Sequence, residues 1–362
     1  MNTRPRPNTA PATALSALVD RALSPERLAA AVHAEDWPDP GAAAPLPREL
    51  WGVALGDVAR DILSRPSRQF RARLCELGWR LADGAGEVPP LVPAIVEIIH
   101  AGSLVVDDIE DGSYERRGGP AVHLEHGLPR ALNGANWMYF WALRLVDELD
   151  PGPLAGRERI FREVVRAMHD SHLGQALDLT ISVGRLPQSA MYRTVATSTM
   201  LKTGSLTELA ARLGAMMAGA GGERVEVLAR FGRRIGLGLQ MLDDFGNLTG
   251  GSEGNASKAL EDLRNGRPTW PWALAARTMP PATFAELAGR ARMLARNDVD
   301  DHEDGRARAL AAELRMAVGL SGRRQAQAYL QAALDQLAEA VGPRPELALV
   351  ASEIERLEAT YG

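Results

Sequence analysis

From Arg48 onward, apolar residues recur three and four positions apart almost without interruption. Leu63, Phe70, Leu74, Leu77 and Leu81 form one such series, and Leu91, Ile95, Ile98, Ile99 and Leu104 another. That spacing lines one face of a helix. Ala, Leu, Arg and Glu, all good helix formers, dominate the chain between breaks. The breaks are turn-forming clusters such as Gly84-Ala-Gly86, Pro89-Pro90, Gly118-Gly119-Pro120, Gly219–Gly222 and Gly342-Pro343. No stretch alternates apolar and polar residues around a hairpin turn, so no sheet is expected. The pattern predicts an all-α protein built as a bundle of helices of roughly 12 to 25 residues. Residues 1–45 are rich in Ala and Pro and read as a flexible leader, with one short helix expected at Pro25–His33. Residues 46–362 read as a single domain.

Composition narrows the class. The 362 residues are 46% hydrophobic and 24% charged, enough apolar material for a sizeable core. A net charge of -5 argues against non-specific nucleic-acid binding, which runs on basic surface. One cysteine, Cys75, excludes an internal disulfide framework and a multi-thiolate metal site. The most apolar run, Leu91 to Val106, is interrupted by Glu97 and His100 and is too short to span a bilayer. The N-terminal stretch has no apolar core of secretory-signal length, so a cytoplasmic location is expected.

Two acidic clusters carry the chemistry. In HAGSLVVDDIEDGSYERRGG, Asp107, Asp108 and Asp111 close an apolar helix. Asp107 and Asp111 share one face a turn apart, with Asp108 on its shoulder. Their mutual repulsion, added to the helix dipole, calls for a cation, and hard divalent ions such as Mg²⁺ suit oxygen-only ligands. In GLGLQMLDDFGNL, Asp243 and Asp244 close a second apolar helix, with Asn247 in the i+4 place. Facing each other across a bundle, the two clusters would bracket a diphosphate through shared metal ions. Cations of matching sign surround them in sequence: Arg116 and Arg117, Lys202, Lys258, Arg264 and Arg267, and Arg68, Arg71 and Arg73.

In chain order, DDIEDGSYERRG, GQALD, LKTG, LQMLDDFGN and K-x3-D-L-x2-GRPTWP resemble the motifs of trans-isoprenyl diphosphate synthases, over about residues 48 to 275. The stretch DDIEDGSYERRGGPAVHLEHGLPRALNGANWMYF is especially similar to geranylgeranyl diphosphate synthases. The resemblance implies an isoprenoid-synthase-type bundle around a deep central cavity, usually a homodimer, that uses Mg²⁺. The expected reaction condenses isopentenyl diphosphate with an allylic diphosphate by ionisation, condensation and elimination. Carried onto this sequence, it makes Asp107, Asp111 and Asp243 metal ligands, with Asp108, Asp244 and Asp262 supporting the metals at second hand. Arg116, Lys202 and Lys258 would hold the allylic diphosphate, and Arg68, Arg71, His100 and Arg117 isopentenyl diphosphate. Thr203 and Gln240, with the Lys202 backbone, would stabilise positive charge at the reacting carbon.

Three positions depart from the family pattern. Arg68 and Arg267 stand where lysines are usual, which keeps the charge and changes the geometry. Asn247 replaces the third aspartate of the second cluster. Gly102 and Ser103, five and four places before Asp107, are small where farnesyl synthases carry aromatics, and Ile99, Ile98 and Ile95 lie deeper along the helix. Geranylgeranyl diphosphate is the expected product. The rivals are a terpene cyclase of the same fold, which has one diphosphate to hold instead of two, and a non-catalytic partner subunit. A metal hydrolase is disfavoured: the pairs His123/His126 and His169/His172 lack an H-E-x-x-H pattern and read as exposed helix or loop histidines.

Overall fold

The sequence LVPAIVEIIHAGSLVVDDIED forms a helix of 21 residues, Leu91–Asp111, because its apolar side chains cover nearly the whole circumference. Val92, Ile95, Val96, Ile98, Ile99, Ala101 and Val105 are all buried. Gly112 ends it in the left-handed region at φ 63°, and the Ser113 N–H turns back onto the Asp108 carbonyl at 2.9 Å. The computed structural model describes residues 10–31, 36–39, 46–150, 152, 156–248, 260–295 and 301–361. These are almost wholly helical and fall into two compact units, Met1–Ala72 with Pro89–Asp150, and Arg73–Val88 with Pro151–Gly362.

The first unit begins with α1 (Ala10–Ala22) and α2 (Pro25–Ala31). It continues with α3 (Arg48–Trp51), which runs through a wide turn at Gly52–Gly56 into α4 (Asp57–Ser64). Next come the start of α5 (Phe70–Leu81) and α6, the helix that carries the first aspartates. A two-stranded ladder follows, β1 (Glu115–Arg116) against β2 (Gly119–Pro120), then α7 (Val122–His126) and α8 (Leu128–Val146). Helices α6 and α8 pack together along Ala135, Met138 and Ala142 of α8. Two features depart from the sequence expectation. The ladder is a small exception to the absence of strands. The leader carries α1 as well as α2: α1 packs on α4 with Val19 and Leu23 buried, and Arg60 donates to Asp20 at 2.8 Å. Residues 32 and 33 of the expected short helix lie outside the described residues.

The second unit holds most of α5, then α9 (Arg157–Thr180) and α10 (Gln188–Thr199). The chain then passes through a wide turn at Met200–Gly204 into α11 (Ser205–Met217) and α12 (Gly222–Asn247). It closes with α13 (Glu261–Arg264), α14 (Trp270–Thr278), α15 (Pro281–Leu294), α16 (Asp301–Leu314), α17 (Leu320–Val341) and α18 (Glu346–Tyr361). Helix α11 is buried on every side and packs on α12. Its Glu208 is an acid at the centre of Arg166, Arg212 and Arg233, whose Nη and Nε groups lie 2.9, 2.9 and 2.6 Å away. Those three guanidiniums hold the carboxyl down to about 2 against the opposing effect of burial. Among the described residues, no helix is long and apolar enough to cross a membrane.

Candidate active site

In the first unit, the C-terminal turn of α6 presents Asp107 and Asp111, both partly exposed, and buries Asp108 completely. The β1–β2 hairpin returns Arg116 onto this turn. Its Nε donates to both Asp108 oxygens at 2.7 and 2.8 Å, and its Nη2 reaches Asp108 and, at 3.4 Å, Asp107. Asp108 is therefore an arginine-held carboxylate, and Asp107 and Asp111 are the pair on this turn that could hold an ion. Two hard carboxylate oxygens with solvent access fit Mg²⁺, which keeps several of its waters and takes few carboxylates.

One turn of hairpin away, Arg117 adopts φ 52°, a left-handed conformation that costs a non-glycine residue about 1 kcal/mol or more. It joins Arg71 and His100 in a basic cluster. Burial and the charges of Arg71, Arg117 and Arg116 hold His100 well below its ordinary range. Burial, opposed by Glu97 and reinforced by the neighbouring arginines, brings Arg117 down to about 10. Glu97, one turn before His100, is buried and accepts the Ala72 N–H at 3.2 Å, which caps the first turn of α5 where Arg71 sits. Arg68 lies exposed in the loop before α5. Arg73 is placed elsewhere, paired with Glu353 of α18 at 3.0 Å, so the three arginines of RPSRQFRARL do not act as one group.

The residues named for product length lie on α6. Gly102 is buried against α8, where a Cβ would stand 3.1 Å from the Ala135 carbonyl and 3.3 Å from the Tyr139 ring. Helix packing therefore gives it a reason to be glycine. Ser103 is partly exposed and donates to the His100 carbonyl at 2.8 Å, while Ile95, Ile98 and Ile99 are core residues. Tyr139, which sequence reasoning passed over, has its hydroxyl raised by burial and by the charges of Glu110 and Asp107.

The second unit carries a chain of polar contacts. Thr203 Oγ1 donates to Gln240 Oε1 at 3.1 Å, and Gln240 Nε2 donates to Asp244 Oδ1 at 2.8 Å. The other Asp244 oxygen accepts the Trp270 N–H at 2.9 Å, at the start of α14. Burial and the charges of Asp262 and Asp243 push the Asp244 carboxyl well up. Asp244 thus braces these polar contacts, and the partly exposed Asp243 is the carboxylate of α12 that could meet an ion. Burial raises Asp262 to about 7 even with Arg267 nearby. Asp178, from the GQALD stretch on α9, accepts both Lys202 Nζ at 2.7 Å and Arg267 Nη1 at 2.9 Å. A Cβ on Gly174 would overlap the Lys202 backbone nitrogen, so this glycine lets α9 touch the wide turn that carries Lys202 and Thr203. Arg264 is partly buried on α13, and Lys258 lies outside the described residues.

The histidine pairs divide. His169 and His172 are exposed on α9. His123 is partly buried. His126, expected to be exposed, instead bonds Asp61 at 3.0 Å. With Glu125 these form a group of metal-type donors within 4.8 Å of one another. Arg65 already supplies the cation there, forked onto Asp61 at 2.7 and 2.9 Å.

Residues 53–303 match the polyprenyl synthetase family. The chain is 31% identical over 225 residues to geranylgeranyl pyrophosphate synthase 2 of Zymoseptoria tritici, covering 61% of this chain and 64% of that one. It is 31% identical over 235 residues to geranylgeranyl pyrophosphate synthase of Eremothecium gossypii, covering 61% and 70%. A short chain isoprenyl diphosphate synthase of Methanocaldococcus jannaschii is 30% identical over 59% of this chain and 64% of its own. The matches thus span about two thirds of these relatives' lengths. In structure, a geranylgeranyl pyrophosphate synthase superposes with a TM-score of 0.74 at 18% identity, covering 99% of each chain. The heptaprenyl diphosphate synthase of Staphylococcus aureus gives 0.73 at 17%, covering 97% of each. At these identities the structural likeness establishes the all-α fold. With the family match spanning most of the chain, the motifs on α6, α9 and α12 and the fold lead to one conclusion: this chain belongs to the polyprenyl synthetase family.

Proposed function

We propose that the protein is a Mg²⁺-dependent trans-prenyltransferase that condenses isopentenyl diphosphate with an allylic diphosphate, giving geranylgeranyl diphosphate. The observation that carries this reading is the gathering of Arg71, His100 and Arg117 in the unit that carries Asp107 and Asp111, with Arg116 acting on His100 and bonding Asp107. A cyclase holds one diphosphate; this unit offers a cationic cluster in addition to its aspartate motif, as a two-diphosphate reaction requires. Curated relatives named geranylgeranyl pyrophosphate synthases support the same substrate class.

Asp107 and Asp111, and separately Asp243, would hold the metal, which when bound neutralises charge developing on the departing diphosphate. Lys202 and Arg267, gathered by Asp178, add fixed positive charge for that leaving group. Thr203 and Gln240 present oxygen dipoles that suit a carbocation, and Asp244 fixes their orientation through the Gln240 amide. His100, kept neutral among arginines, donates a hydrogen bond to a diphosphate without repelling them. The proton lost at the end goes to released diphosphate, since no side chain among the described residues is arranged as a dedicated base.

A row of exposed apolar residues on α8, Leu128, Leu132 and Phe140, supports a homodimer, which light scattering would read. The activity is tested by incubating the enzyme with Mg²⁺, isopentenyl diphosphate and each allylic primer, then weighing the products. Geranylgeranyl diphosphate is expected. Hydrocarbon released from geranylgeranyl diphosphate alone would instead establish a cyclase. For product length, Ser103→Phe should shorten the chain; an unchanged product spectrum would remove Ser103 from the controlling wall.

A further inference from the structure

Arg65 is the C-cap that follows α4 and has no role in the reaction as described above. Its side chain is 9% exposed, and each of its five N–H donors has an acceptor. Nε and one Nη2 hydrogen fork onto Asp61 at 2.7 and 2.9 Å, and the other Nη2 hydrogen meets Glu125 Oε2 at 3.3 Å. Nη1 donates to two backbone carbonyls, Arg116 at 2.9 Å and Pro120 at 2.6 Å. Those carbonyls belong to opposite strands of the β1–β2 hairpin, whose turn residues Arg117 and Gly118 are both left-handed, at φ 52° and 78°. A two-residue turn of this kind depends on positive φ at both central positions, which Arg117 resists. The guanidinium therefore clips the base of a strained hairpin. That hairpin delivers Arg116 to the Asp107/Asp108 turn and Arg117 to the His100 cluster. His126 completes the mount by holding Asp61 at 3.0 Å.

We propose that Arg65 is a positioning residue for both diphosphate subsites: locked by Asp61, Glu125 and His126, it sets the hairpin that aims Arg116 and Arg117. With no donor left over, Arg65 binds no ligand itself. A planar fork is essential to this task, because a lysine could not reach Asp61 and two carbonyls at once. The proposal rests on the assignment of Arg116 and Arg117 to diphosphate binding.

The test compares wild type with Arg65→Ala, Arg65→Lys and, as a milder loosening of the same mount, Asp61→Asn. Arginines that grip diphosphate in ground and transition states alike affect KM more than kcat. Arg65→Ala should raise KM for isopentenyl diphosphate and the allylic primer about tenfold while kcat stays within about threefold. Arg65→Lys should recover little of this, and Asp61→Asn should shift KM the same way by a smaller factor. Unchanged KM in folded variants, with or without loss of kcat, would overturn the proposal and leave Arg65 a stability residue. If Arg65→Ala fails to fold, the Asp61→Asn KM decides in the same way. Binding of inorganic pyrophosphate with Mg²⁺, read by calorimetry, separates the two readings. Wild type that binds it but makes no prenyl product sinks the proposed activity, while equal pyrophosphate affinity in wild type and Arg65→Ala sinks the role of Arg65.

Discussion

His100 shows how single residues in this site are tuned by their neighbours. Desolvation and three guanidiniums lower its affinity for a proton in the folded protein. The folded value lies below the unfolded one of about 6.5, so on acidification the unfolded chain takes the proton first. His100 therefore leaves stability untouched above neutrality and subtracts from it as pH falls below about 6.5. Replacing it by Asn should flatten the acid-side fall of Tm over about pH 6.5 to 5; an unchanged slope would show that the ring protonates freely in the fold. The residue was legible in sequence, two turns before Asp107. Its neighbours Arg71, Arg117 and Arg116 act on it through charge at close range, which no spacing rule displays.

Elements supply the geometry that residues need. The wide turn before α11 carries Lys202 and Thr203, and α9 approaches it only because Gly174 has no side chain. Gly174→Ala forces these backbones apart, at a cost of about 1–3 kcal/mol typical of overpacking. The expected signature is a loss of kcat together with a lower Tm; full activity would show that the approach is slack. Helix α11 poses the opposite problem, since it buries Glu208 among three arginines. Its folded value of about 2 lies below its ordinary value of 4.5, so its contribution is present above pH 4.5 and is lost as pH falls toward 2. Glu208→Gln should cost about 3–5 kcal/mol at neutral pH by leaving buried guanidiniums uncompensated. Urea unfolding at pH 7 and again near pH 3 should show that gap narrowing on acidification. The apolar periods of α6 and α12 announced those helices directly. The first helix of the leader was hidden because its short run, Leu18 to Leu23, lies between Pro- and Ala-rich flanks, and its reason to fold is the α4 surface that buries Val19.

For the molecule as a whole, each unit carries one aspartate motif with its own supporting polar groups. Asp107→Ala in the first and Asp243→Ala in the second should each lower kcat by about a hundredfold or more. Because both side chains are partly exposed, Tm should move by no more than a few degrees. Retained turnover in either variant would remove that motif from the reaction.

The sequence by itself determined the helical class, the places where helices stop, the two carboxylate clusters and the family, because periodicity, breaker residues and ordered motifs are local properties of a chain. Tertiary structure alone decided which charges work together. It joined Arg116 to Asp108, Lys202 and Arg267 to Asp178, Arg73 to Glu353, and His126 to Asp61 through partners 8 to 280 residues apart. Charge pairing depends on distance and desolvation in space, and apart from neighbours within a helix turn, sequence separation measures neither.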